Sequence, residues 1–201
     1  MELIITKLYQ YVKASLLFWI YLIRGFVVYG LVPAFCSLIA VTEDVKKDQD
    51  HEKISVLFSR YYQKYNIFKL QSFLLSFLLI ITYNLLFFTV QSQGSYSLIV
   101  IFILLYILGI TIIVITYTCS FLVFCPEKVN FKQAIALAFV STIKHFGVSI
   151  ILLCLLGLLF AIAGINFLLF IFIAPVLYTY LISFVIQVMI KRIFLINKSL
   201  F

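Results

Sequence analysis

Residues 70–126 read LQSFLLSFLLIITYNLLFFTVQSQGSYSLIVIFILLYILGITIIVITYTCSFLVFCP, 57 residues without a single Asp, Glu, Lys or Arg. One membrane crossing takes about 20 residues of helix. This stretch therefore holds two crossings, 70–90 and 98–124, joined by the uncharged turn 91–97. The second is longer than it needs to be, which predicts a tilt. A closed β-barrel is the other way to span a bilayer with every backbone group paired, but it demands alternating apolar and polar residues. The run Ile99-Val100-Ile101-Phe102-Ile103-Leu104-Leu105 does not alternate, so helices are expected.

A second charge-free stretch, 145–190, is 46 residues long. It divides into crossings 146–164 and 167–190 about Gly164-Ile165-Asn166. Upstream, the apolar segment 16–41 contains Arg24-Gly25, Gly30 and Pro33. It reads either as one kinked span or as a hairpin of 3–23 and 26–41 broken at Arg24-Gly25. The second arm of that hairpin would be short, which favours the single span. The fold class is then all-α: a polytopic transmembrane helix bundle of about five spans, forming one integral membrane domain over 1–201.

Composition agrees. The chain is 65% hydrophobic and 11% charged, where a soluble domain has about a quarter of its residues charged. That excludes an ordinary soluble globule and a disordered chain. The N-terminal apolar run has no small-x-small cleavage site and continues into the first segment, so the mature chain is expected to keep its N-terminus.

Charge collects between the spans. Residues 1–15 mix Lys7 and Lys13 with apolar residues, as an interfacial helix does. In 54–69, Ile54, Leu57, Phe58, Tyr61, Tyr65 and Phe68 share one helical face, with Lys53, Arg60 and Lys64 off it. In 131–145, Phe131, Ile135, Ala138, Phe139, Thr142 and Phe146 recur at helical spacing, with Lys132 and Lys144 on the polar side. Asn130 and Gln133 form a variant capping box at its start. The order of amphipathic helix, span, uncharged turn and span thus occurs twice, over 54–124 and 131–190.

Loops rich in Lys and Arg stay cytoplasmic. Residues 42–69 hold six, 125–147 hold three and the C-terminus three, while the turns at 91–97 and 164–166 hold none. The amphipathic segments 54–69 and 131–145 and the C-terminus are therefore expected inside. Lys53, Arg60, Lys64, Lys132 and Lys144 then form a face for anionic lipid or a partner. The basic residues alternate with acids and carry no recognition motif, so nucleic acid is not an expected partner.

Catalytic groups are missing. There is no GxSxG, HExxH or phosphate-cradling GxxxxGK[ST], and His51 and His145 lie in polar or interfacial segments. The four cysteines have no metal-ligand spacing. No enzyme activity, metal or cofactor is expected. All seven acidic residues fall outside the expected spans, unlike those of most ion-coupled transporters. Three residues stand out within the first and last spans. Arg24 reads as an anion or partner contact, or more plainly as a guanidinium reaching the head groups. Pro33 and Pro175 each kink a helix, marking a gate or cavity, or more plainly simple packing.

The chain resembles the YesL-like family of bacterial integral membrane proteins, a domain of unknown function. The resemblance is carried by Leu16-Leu17-Phe18-Trp19 leading to Tyr29-Gly30-Leu31-Val32-Pro33-Ala34. It continues in Leu57-Phe58-Ser59-Arg60-Tyr61-Tyr62-Gln63-Lys64-Tyr65 and in Phe131 through His145. The chain departs from the pattern at Glu43-Asp44 and Gln71. The resemblance implies a bacterial cell membrane protein associated with carbohydrate transporters of the ABC type, and carries over no catalytic residue. Three readings follow: an accessory subunit of a transport complex, a small permease or channel working as a homo-oligomer, and a membrane-bound regulator or lipid-binding protein.

Overall fold

The computed structural model describes residues 2–47, 53–92, 96–125 and 129–198. Asp48, Asp50, His51, Glu52, Lys128 and the middle of the 91–97 turn lie outside them. Among the described residues there is no strand. The helices are α1 (Glu2–Arg24), α2 (Leu31–Lys47), α3 (Ile54–Tyr65), α4 (Lys69–Gln91), α5 (Ser97–Phe124), α6 (Phe131–Lys144), α7 (Phe146–Ile165) and α8 (Phe167–Lys198).

Four helical stretches are long and apolar enough to cross a membrane: Ile54–Gln91, Ser97–Phe124, Phe146–Ile165 and Phe167–Val188. The first is a single rod in which a 3-10 turn, Asn66–Phe68, links α3 to α4. Asn66 N–H donates to Gln63 O and Lys69 N–H to Asn66 O, so the turn interrupts the α pattern without ending the helix. No Gly or Pro occurs between Ile54 and Gln91 to stop it.

The segment 16–41 is not one kinked span. α1 ends at Arg24, and the chain turns back through 25–30 before α2 begins. Neither helix is among the four long apolar stretches. Phe26 and Val27 take left-handed φ values of 51° and 60°, a conformation that bulky and β-branched residues rarely adopt. The backbones of Gly25 and Gly30 close the turn, and a Cβ on Gly25 would stand 2.4 Å from Gly30 Cα. Only a residue without a side chain permits that approach.

Pro33 does not kink its helix either. It lies in the first turn of α2, where a backbone N–H has no intrahelical acceptor to lose. Pro175 does sit inside a helix, α8. Its missing N–H leaves the carbonyl four residues earlier, Ile171 O, without its helical donor. The Trp19 indole N–H of α1 donates to that oxygen at 3.1 Å.

α2 is the core. Twelve of its 17 residues are buried, and it packs against α1, α3, α4, α5 and α8. Ala34, Cys36, Ser37 and Ala40 keep it thin enough for that. The apolar face of α3 is covered by the same helix: Ile54, Leu57 and Phe58 pack with Leu38, Val41 and Val45. That face therefore meets protein, where a surface helix would lay it on lipid.

α6 packs differently, against α5. Its buried face is Phe131, Ala134, Ala138, Ser141 and Thr142, whereas Phe139, Phe146 and Ile143 stay exposed. The expected reach-back bond of the capping box is made, from Asn130 N–H to Gln133 Oε1 at 2.9 Å. The turn expected at 164–166 is also present. Asn166 Oδ1 accepts from Leu169 N–H at 3.1 Å and caps α8. The element order recurs in the two halves, but the two amphipathic segments have different partners.

Candidate functional site

A cleft of about 380 Å³ opens where the α1–α2 turn meets the α3–α4 rod. Helical spacing builds one wall: Ser59, Tyr62, Gln63 and Asn66 recur at i, i+3, i+4 and i+7 along the rod, and Lys69 follows one turn later. Arg24, from the last turn of α1, closes the opposite side with Tyr21. The Arg24 guanidinium lies 5.9 Å from the Tyr21 ring centre, within cation–π range. Tyr21 in turn packs on Tyr62 and Phe58, with ring centres 4.7 and 5.1 Å apart. No carboxylate lines the cleft among the described residues. The arrangement offers two cations and six neutral polar side chains, three of them tyrosines, to a group rich in acceptors.

The α1–α2 turn is held from α4. Val28 O accepts from Ser72 Oγ at 2.9 Å and from Ser76 Oγ at 3.0 Å, and Ser72 Oγ accepts from Val32 N–H at 3.1 Å. One first-turn donor of α2 is thereby satisfied. Tyr29 stacks on Phe73 with ring centres 5.2 Å apart. These contacts reach across 40 to 48 residues of chain.

The structure separates the three span residues singled out by the sequence. Arg24 lines the cationic cleft and Pro33 is buried in α2. Pro175 lines a second cavity of about 300 Å³, walled by Trp19, Phe35, Leu159, Phe170 and Tyr178 and almost wholly apolar. The expected basic face is not gathered into one site. Lys53, Arg60, Lys64, Lys132 and Lys144 are all exposed, the first three on or beside α3 and the last two on α6. None of the five lines the cleft; Lys69 does.

Sequence reasoning missed two things. The polar face Ser59–Tyr62–Gln63–Asn66 was legible as a period but was overshadowed by the apolar face opposite. Glu43 gave no signal. It lies beyond the expected end of the first span, yet α2 continues to Lys47 and leaves Glu43 only 4% exposed. Its Oε2 accepts from Gln187 Nε2 of α8 at 2.7 Å, and Lys46 Nζ stands 3.9 Å from Oε1. One acid therefore lies inside the helix bundle.

No family model, curated protein or solved structure matches this chain.

Proposed function

We propose that this chain is a non-enzymatic multi-pass membrane protein that works by binding, as an accessory or regulatory component, through the basic end of its helix bundle. The distribution of Lys and Arg supports the cytoplasmic side for that end, and the YesL-like resemblance supports a bacterial membrane. One observation carries the choice of binding over passage. The hydroxyls of Thr82, Thr111, Thr116 and Thr118 each donate to the carbonyl four residues back, at 2.7 to 2.9 Å. A hydroxyl so engaged has no proton left for a solute. The cavity between the helical hairpins has apolar walls and does not replace those donors. Ser59, Tyr62, Gln63 and Asn66 line the cleft instead, with no side-chain hydrogen bond among the described residues.

An accessory role beside a carbohydrate importer of the ABC type, implied by the YesL-like resemblance, uses the same end. Purification in mild detergent is expected to retrieve importer subunits. Solute flux across liposomes containing the purified chain alone would favour the oligomeric permease and defeat this reading.

A further inference from the structure

We propose that the cleft between α1 and the α3–α4 rod is a binding site for a phosphate anion, either the phosphate of a phospholipid head group or free phosphate. The proposal rests on the reading of the basic end as a binding surface and names its ligand.

Arg24 and Lys69 approach the cleft from different elements, and neither forms an ion pair among the described residues. A guanidinium grips a phosphate through two parallel N–H donors, while an ammonium acts as a point charge. Ser59, Tyr62, Gln63 and Asn66 line the same space with hydroxyl and amide donors. That supplies neutral donors for the remaining oxygens of a tetrahedral anion. An anion here meets no competing carboxylate among the described lining residues.

The location favours a membrane source. Phe26 at the turn is 83% exposed beside Arg24, and Val27 is half exposed. Immediately after Lys69 the rod becomes charge-free. Apolar side chains at the tip of a cationic cleft, next to the start of a span, match the level of lipid head groups. The left-handed conformation of Phe26 and Val27 is strain of the kind that gathers at ligand clamps.

The test uses the full chain in neutral-detergent micelles with added phosphatidylglycerol, or with a diacylglycerol of the same acyl chains as the phosphate-free probe. Lipid retained after gel filtration is read by mass spectrometry. The wild-type chain is expected to retain phosphatidylglycerol and not diacylglycerol. Retention should fall by about tenfold or more in the R24Q/K69Q double variant, because two charge-assisted contacts are lost. Gln63→Glu, which places a carboxylate in the cleft without removing a cation, should have the same direction. Thr89→Val, at the charge-free end and outside the cleft, should leave retention unchanged.

Competitive displacement by millimolar inorganic phosphate would support the site with free phosphate as its ligand. Resistance to displacement would support the lipid source. Equal retention of both lipids, or undiminished retention by both R24Q/K69Q and Gln63→Glu with helicity intact, would overturn the proposal. The parent reading fails separately. A chain that retains phosphatidylglycerol through these residues and also drives solute flux keeps the phosphate site and loses the accessory role. A chain that retrieves importer subunits but shows no phosphate preference does the reverse.

Discussion

The two ends of the helix bundle are built from similar apolar residues and packed in opposite ways. At the basic end, α2 is surrounded on all sides and the later half of α5, from Thr111 to Leu122, is mostly buried. At the charge-free end, Leu98, Ile99, Phe102 and Ile103 of the same helix α5 are exposed, as are Phe87, Phe88 and Val90 of α4. Ile165 and Phe167 at the α7–α8 turn are exposed too. Hydropathy alone does not distinguish these halves. The difference is a third element: the α1–α2 hairpin packs against the rod, α5 and α8, and among the described residues it leaves the α4–α5 tip around Phe87 and Phe102 uncovered. Where it is absent, the helices leave an apolar surface of the kind that meets lipid or another protein rather than water.

This contrast yields paired substitutions. The largest effect is expected at the hairpin turn. Gly25→Ala drives a Cβ to 2.4 Å from backbone, and should destabilise the protein by about 3 kcal/mol or more. Gly164→Ala, at the charge-free end, meets nothing within 4 Å and should change stability by less than about 0.5 kcal/mol. Thermal unfolding in one detergent measures both. Equal losses would mean that the hairpin is not what closes the basic end.

A smaller effect is expected where α4 holds the turn. The double variant Ser72→Ala/Ser76→Ala leaves Val28 O and Val32 N–H without their side-chain partners, a cost of about 2 kcal/mol. Hydrogen exchange should quicken in 25–32 before anywhere in α5. Uniform exchange would place the stability of the turn elsewhere.

Trp19→Phe comes next. It strips Ile171 O of its indole donor, at about 1–2 kcal/mol. Pro175→Ala in that background restores a helical N–H to the same oxygen and should recover most of the loss. Additive losses in the double variant would break the assignment of Trp19 as the partner of the proline kink.

The smallest effect is expected for Thr89→Val. Thr89 is half-buried at the charge-free end and its hydroxyl donates to Leu85 O in its own helix. A change below about 0.5 kcal/mol is expected by the same thermal scan. A larger value would reveal packing at that end which the exposed side chains do not suggest.

Some of the cleft was readable beforehand. Arg24 stood out as a cation in an apolar run, and the 54–69 segment as amphipathic. Their meeting was not readable, because Arg24 faces residues 35 to 45 positions later only after the chain reverses at Gly25. The reversal is stabilised by Ser72 and Ser76, two small polar residues that look like any other serines in a span. Glu43 was unreadable for the same reason. Its burial depends on Gln187 of the last helix, 144 residues away.

By itself the sequence determined the helical class, the charge-free lengths that define the long apolar helices, the turn at Asn166 and the cap at Asn130. These are local matters: backbone pairing within a helix, the solvation of charge, and the reach of a side chain over one turn. Tertiary structure decided for the hairpin broken at Arg24-Gly25 over the single span, made α2 the most buried helix, and brought Arg24 and Lys69 to one cleft. Those outcomes require close approach of Gly25 to Gly30 and of α4 serines to a distant carbonyl, and no local pattern records which distant groups will meet.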